Sequence, residues 1–278
     1  MPTYETPEPI AVSVRLALGS VQVRASDRKD TVVDLRPGDT DSPDDVKAVQ
    51  QTRIDFTDGR LKLKGPRPRN ANRNGVVEAV IEVPGGSHLE FWGVSVDLRG
   101  EGGFGEIMCR AVAGDIQLDT ADVLDLDAAT ANVTVSRVTG RTSVRVGSGD
   151  LQLHEVSGPA TVQSSSGDVR IGEVTGDLSL TAGGGNITLA VAHGDIAAKA
   201  GSGGVTLGAL RGGSLVAETS TGRMDIGIAD GVAAWLDLQS RTGNVHSSLP
   251  STATPQQGEE TVKVEARAIS GDILIHRA

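Results

Sequence analysis

The side chains best placed to act together are Asp150, Asp168 and Asn186, which follow glycines at a fixed spacing of eighteen until Gly204 ends the series. Carboxylates stacked at one repeat phase could hold divalent cations, as nonapeptide β-rolls do with their GGxGxD motif. Only residues 183–186 (GGGN) approach that motif. Asp and Asn after glycine also suit tight turns, where the short side chain bonds to nearby backbone. Asp115, Asp177, Asp195 and Asp272 stand at comparable positions, so a turn role is expected and no metal ligand is assigned.

Other chemistries find less support. The histidines at 88, 154, 193, 246 and 276 are scattered, and no HExxH, CxxC or GxSxG occurs. The glycine-rich stretches 100–106 (GEGGFGE) and 181–186 (TAGGGN) contain no lysine and open no helix, which a phosphate loop requires. A sugar-cleaving β-helix would need acids and bases grouped on one face, whereas Arg145, Arg170 and Asp225 are not expected to stack in register. Cys109 is the only cysteine, so no intrachain disulfide forms, and its setting (EIMCR) reads as a strand holding a buried thiol. Trp92 and Trp235 are the only tryptophans, and Trp235 is expected inside or capping the last rungs, its apolar neighbours being Ala234 and Leu236. No catalytic residue, cofactor or metal is assigned, and the chain is read as a non-enzyme.

The net charge of −10 argues against a nucleic-acid surface, which needs clustered cations. The one basic run, Lys62 to Arg73, reads as a solvated loop. There is no basic segment followed by an apolar stretch at the start, and no run of membrane-spanning length. The expectation is a cytoplasmic protein with no membrane insertion.

These residues must be positioned by a repeat. Glycines recur every nine residues from Gly140 to Gly212, and alternate units differ, so the true period is eighteen. At that period Leu151, Val169, Ile187 and Val205 form one column and Leu153, Ile171, Leu189 and Leu207 another. Gln152, Arg170, Thr188 and Thr206 lie between them. Successive side chains of a strand face opposite ways, so the apolar columns point inward and the polar one outward. An eighteen-residue repeat has no room for a helical crossover, which leaves parallel strands joined by turns. The fold class is all-β: a parallel β-solenoid (β-helix or β-roll) with two strands per rung.

Residues 1–85 read as irregular strands, either first rungs or a cap, with a hairpin at Asp58-Gly59. Residues 86–278 read as the repeat region, with polar loops expected at 66–75 and 250–261. The closing SGDILIHRA would then be the exposed last rung, its edge guarded by His276 and Arg277.

The recurring SGDVRIGEVTGDLSL pattern, the VPGG entry and the closing SGDILIHRA resemble the DUF4097 group of β-strand-repeat proteins. The segments TPEPIAVSVRLALGSVQVRASDR and DGVAAWLDL are similar to its actinobacterial cytoplasmic-type members. The resemblance covers most of the chain. It implies a β-helical fold, carries over no catalytic residue, and brings an adhesin label. The expected function is an interaction scaffold that presents its faces to a protein partner or self-associates through its ends. Adhesin-like binding of carbohydrate or protein is the alternative, and a carbohydrate-active enzyme a third.

Overall fold

Alternating apolar and polar residues become strands, and the eighteen-residue period becomes their register. The computed structural model describes residues 1–66, 75–250 and 260–278. Within them the chain is an all-β parallel β-solenoid with one helix, Pro43–Gln51. It divides into two compact units, Met1–Thr139 and Gly140–Ala278.

In the second unit Leu151 sits beside Val169, Val169 beside Ile187, and Ile187 beside Val205, all in parallel. On the other sheet Thr142, Ala160, Leu178 and Ile196 form the matching column. The column from Leu151 to Val205 is fully buried, while Gln152, Arg170 and Thr206 point to solvent. The register then moves from eighteen to nineteen, with Ile196 opposite Leu215, because 210–215 holds one residue more than 192–196.

The glycine rhythm follows from the corners. Gly149, Gly167, Gly185, Gly203, Gly222 and Gly271 all hold a positive φ, between 91° and 147°. A Cβ on Gly185 would lie 2.2 Å from the Gly167 carbonyl oxygen, so the corner demands glycine for both its backbone angle and its close stacking.

The strand order at the carboxyl end departs from the order of the chain. Glu260–Ser270 pairs on one side with Ser214–Thr221 and on the other with Val232–Thr242. Ile273–Arg277 lies likewise between Met224–Ile228 and Val245–Ser247. The closing SGDILIHRA is therefore an inner rung, and the expectation that His276 and Arg277 guard an exposed edge is corrected. The outer rung is Val232–Thr242 with Val245–Ser247. Arg277 is tied inward, its Nη1 donating to the carbonyls of Ala229 and Val232 at 2.9 and 2.7 Å.

The first unit repeats this device. Ala11–Ser26 bends at Gly19 (φ 134°) and pairs in parallel with His88–Ala113 on one side. On its other side it pairs with Arg60–Lys64 and Val77–Pro84. Beyond these lie antiparallel strands: Arg53–Thr57 on Arg60–Lys64, Asp30–Pro37 on Val77–Pro84, and Thr3–Glu5 on Asp30–Pro37. Asp58 and Gly59 (φ 51° and 69°) make the expected hairpin turn.

The helix was not expected, although Ser42-Pro43-Asp44-Asp45 is a start signal. Ser42 caps it by accepting from the Asp45 amide at 3.4 Å, with proline in the first turn and acids at its positive end. Most of the two expected polar loops, 67–74 and 251–259, lies outside the described residues.

Candidate functional site

The acid ladder is built from corner residues. The Asp168 amide donates to Asp150 Oδ1 at 3.0 Å, the Asn186 amide to Asp168 Oδ1 at 2.9 Å, and the Gly204 amide to Asn186 Oδ1 at 2.9 Å. Each side chain thus satisfies the backbone N–H of the next rung, where the corner interrupts regular pairing. The same geometry recurs from Asp115 to Asp97 (2.9 Å), Asp195 to Asp177 (3.3 Å) and Asn244 to Asp272 (2.8 Å). Arg170 donates to Asp168 Oδ2 at 2.6 Å. The ladder oxygens are thus turned to backbone and guanidinium donors, a structural use.

The remaining candidates stand apart. Arg170 and Asp225 share an outward column, but Thr188 and Thr206 separate them by three rungs. Arg145 lies on the other sheet, with its Nε donating to Gln163 Oε1 at 3.1 Å. Three histidines meet acids singly: His88 with Glu106 at 4.0 Å, His193 with Glu173 at 3.1 Å, and His276 with Asp225 at 2.9 Å. Among the described residues no group of three potential metal ligands converges. Cys109 is fully buried, and burial pushes its thiol up to about 12.

Both tryptophans are exposed, Trp92 by 43% and Trp235 by 57%. This corrects the interior placement of Trp235: Ala234 and Leu236 take the inward phase of the strand, and period two turns the indole between them outward.

Around Trp92 the first unit gathers its most unusual surface. Lys64 stands directly opposite Arg53 on one neighbouring strand and Arg15 on the other, and Arg15 stands opposite Trp92. Like charges in register on adjacent strands repel, a cost that ordinary sheets avoid. Arg15 lies over the indole at 4.9 Å and only 3.9 Å from Glu90, whose Oε1 also accepts from Trp92 Nε1 at 3.0 Å. Arg53 and Lys64 have no ion-pair partner among the described residues. Beside the row an open groove of about 460 Å³ is lined by Lys64, Pro66, Trp92, Val94, Arg110 and Val112. Val94 and Val112 are about half exposed, at 49% and 54%. Arg53 and Lys64 face each other across the expected hairpin, but the row eluded sequence reasoning because its third cation, Arg15, comes from a strand far away in the chain. The only local signal is the alternation in Arg60-Leu61-Lys62-Leu63-Lys64, whose apolar members are buried and whose cations face out. Lys62 and Lys64, at the start of the run expected as a loop, lie on the second strand of the expected hairpin; residues 67–73 of that run lie outside the described residues.

A larger groove, about 940 Å³, crosses the second unit over Gly183, Gly201, Ser220 and Ile269. Two of its cations have acid neighbours, Lys199 with Glu218 at 3.0 Å and Arg267 with Asp237 at 3.8 Å, while Arg241 also lines it and has no ion-pair partner among the described residues. Its lining mixes small residues with Leu238, Val245 and Ile269, and it includes neither a tryptophan nor a row of in-register cations such as Arg53, Lys64 and Arg15.

A family model described as Toastrack DUF4097 matches residues 11–276. Among solved structures, the chain is similar to a "putative adhesin" from Bacteroides fragilis at 15% identity, covering 98% of this chain and 95% of that one, with a TM-score of 0.36. It is also similar to a "putative adhesin" from Parabacteroides distasonis at 10% identity, 99% and 95% coverage and a TM-score of 0.36. A third, a "putative cell adhesion protein" from Clostridium sporogenes, shares 11% identity over 100% and 98% of the two chains, with a TM-score of 0.19. No curated protein matches the chain.

Proposed function

The chain belongs to the Toastrack DUF4097 family, and from that premise we propose that it is a non-catalytic binding scaffold whose outer sheet face at Trp92 holds a protein partner through an acidic segment. The observation that carries this reading is the row Arg53, Lys64, Arg15 in register beside exposed Trp92, Val94 and Val112. In a chain of net charge −10, three aligned cations cost folding free energy that a bound carboxylate would recover. Exposed tryptophan and arginine are also the side chains that contribute most to interface affinity.

The test is quantitative affinity capture from native cells with the tagged full chain. The Arg15→Glu/Lys64→Glu variant should lose a specific co-purifying protein. A Thr188→Glu/Thr206→Glu variant, altered on an outward column of the second unit, should keep it. If both variants retain the same proteins, or the unaltered chain captures none, the reading fails.

A second reading is adhesin-like binding of a saccharide, and it draws on Trp92 itself. An exposed indole beside Glu90 and Arg15 is a platform on which a sugar ring can stack while its hydroxyls bond to the charged pair. Glycan-array binding lost on Trp92→Ala but retained by Arg53→Glu/Lys64→Glu, which spares the Glu90–Arg15 pair, would favour it over the first.

A further inference from the structure

The outer rung at the carboxyl end is unfinished. Among the described residues Val232–Thr242 pairs with a single strand, Glu260–Ser270. Its inward side chains Ala234, Leu236 and Leu238 are only half-buried, whereas their register partners Val262, Val264 and Ala266 are at most 2% exposed. Val245 is 44% exposed, and its partner Ile273 is 1% exposed. The first unit, by contrast, ends its stack with antiparallel strands laid across the last parallel rung. An open edge with apolar residues facing inward is a template for a further strand, and nothing in 232–247 blunts it with lysine or proline.

The sequence of the edge specifies what fits it. On the outward phase the strand reads Trp235, Asp237, Gln239, Arg241, with opposite charges placed symmetrically about Gln239. A second copy approaching antiparallel, with Gln239 on a twofold axis, sets Asp237 of each chain opposite Arg241 of the other. Arg241 has no ion-pair partner among the described residues, and Asp237 reaches Arg267 only at 3.8 Å. In the same register the partly buried Leu238 and Leu236 face Ser240 and Thr242 of the second copy. A parallel approach would instead stack Asp237 on Asp237, which repels.

We infer that the rung 232–247 is a self-recognition edge, through which two copies of this chain join as a twofold dimer by antiparallel pairing of Val232–Thr242 about Gln239. A twofold interface is isologous and closes on itself, so it consumes the edge without growing a filament. The inference is independent of the Trp92 face, which lies in the other unit.

Sedimentation equilibrium of the full chain tests it. The mass should rise with concentration from 28.6 kDa to twice that value and then level off. Asp237→Arg and Arg241→Asp should each weaken the dimer by about tenfold, and the double exchange should restore it, since cross-strand charge pairs are worth up to about 1 kcal/mol each and occur twice here. Gln239→Cys should form a disulfide-linked dimer under mild oxidation, while Ser179→Cys, in mid-stack, should not. Circular dichroism and melting of each variant separate loss of pairing from loss of fold. A mass that stays monomeric, a mass that keeps growing, or a dimer indifferent to the charge exchange and the cysteine would each overturn the proposal.

Discussion

Residue types carry very different meanings at the two phases of a strand. Cys109 occupies the inward phase, between the outward Met108 and Arg110, and is fully buried. Its thiol is pushed up to about 12 by burial, with the Arg110 charge pulling weakly the other way. At pH 7 to 9 it is therefore a neutral thiol, and the thiolate that attacks disulfide reagents is absent as well as inaccessible. Native protein should leave a chromogenic thiol reagent unreacted for hours at pH 8, and one equivalent should react at once in guanidinium; reaction within minutes in the native state would show that the strand opens. The same phase logic places Arg53, Lys64 and Arg15 on a shared outer row, in which Arg15 has Glu90 at 3.9 Å and Arg53 and Lys64 have no ion-pair partner among the described residues.

At the scale of the element, the corner decides which glycines matter. Gly185 holds φ 91° with the Gly167 carbonyl oxygen 2.2 Å from where a Cβ would sit, while Gly184 has ordinary φ and no neighbour closer than 3.9 Å to its Cβ position. Gly185→Ala should cost about 2 kcal/mol or more in urea unfolding, whereas Gly184→Ala should be neutral or slightly stabilising through the unfolded chain. Equal effects at the two positions would remove the corner argument. This much was legible from glycine spacing, as were the inward columns and the placing of Asp at corners, because each rests on a local pattern repeated in phase; the bond from each Asp to the amide of the next rung, rather than to its own turn, was not. Trp235 was misplaced because apolar character was read ahead of phase. The helix was missed because its nine residues are of mixed polarity and its Ser42-Pro43-Asp44-Asp45 start also suits a polar turn.

For the whole molecule, what could not be read was the order of the rungs at the chain's two ends. SGDILIHRA matches the local motif of every inner rung, so nothing in it says which rung it will join; that choice depends on pairing partners about thirty and fifty residues away. The result places a terminus-proximal strand one layer inside the stack in each unit: Ala11–Ser26 beneath Arg60–Lys64 and Val77–Pro84, and Glu260–Ser270 beneath Val232–Thr242. Such insertion gives Ala11–Ser26 and Glu260–Ser270 hydrogen-bonded neighbours on both edges, while Thr3–Glu5 stays an edge strand on Asp30–Pro37. Engineered cysteines distinguish this order from stacking in chain sequence. Glu218 and Arg267 are register partners on adjacent parallel strands, about 5 Å apart, within the reach of a disulfide; Glu218 and Gln239 are two strands apart, about 10 Å, and beyond it. Glu218→Cys/Arg267→Cys should therefore oxidise to an intramolecular disulfide, and Glu218→Cys/Gln239→Cys should not, with buried Cys109 unable to compete in either. The reverse pattern would mean that the rungs follow the chain and that the open edge belongs to residues 260–277, which would also move the self-recognition surface away from Gln239.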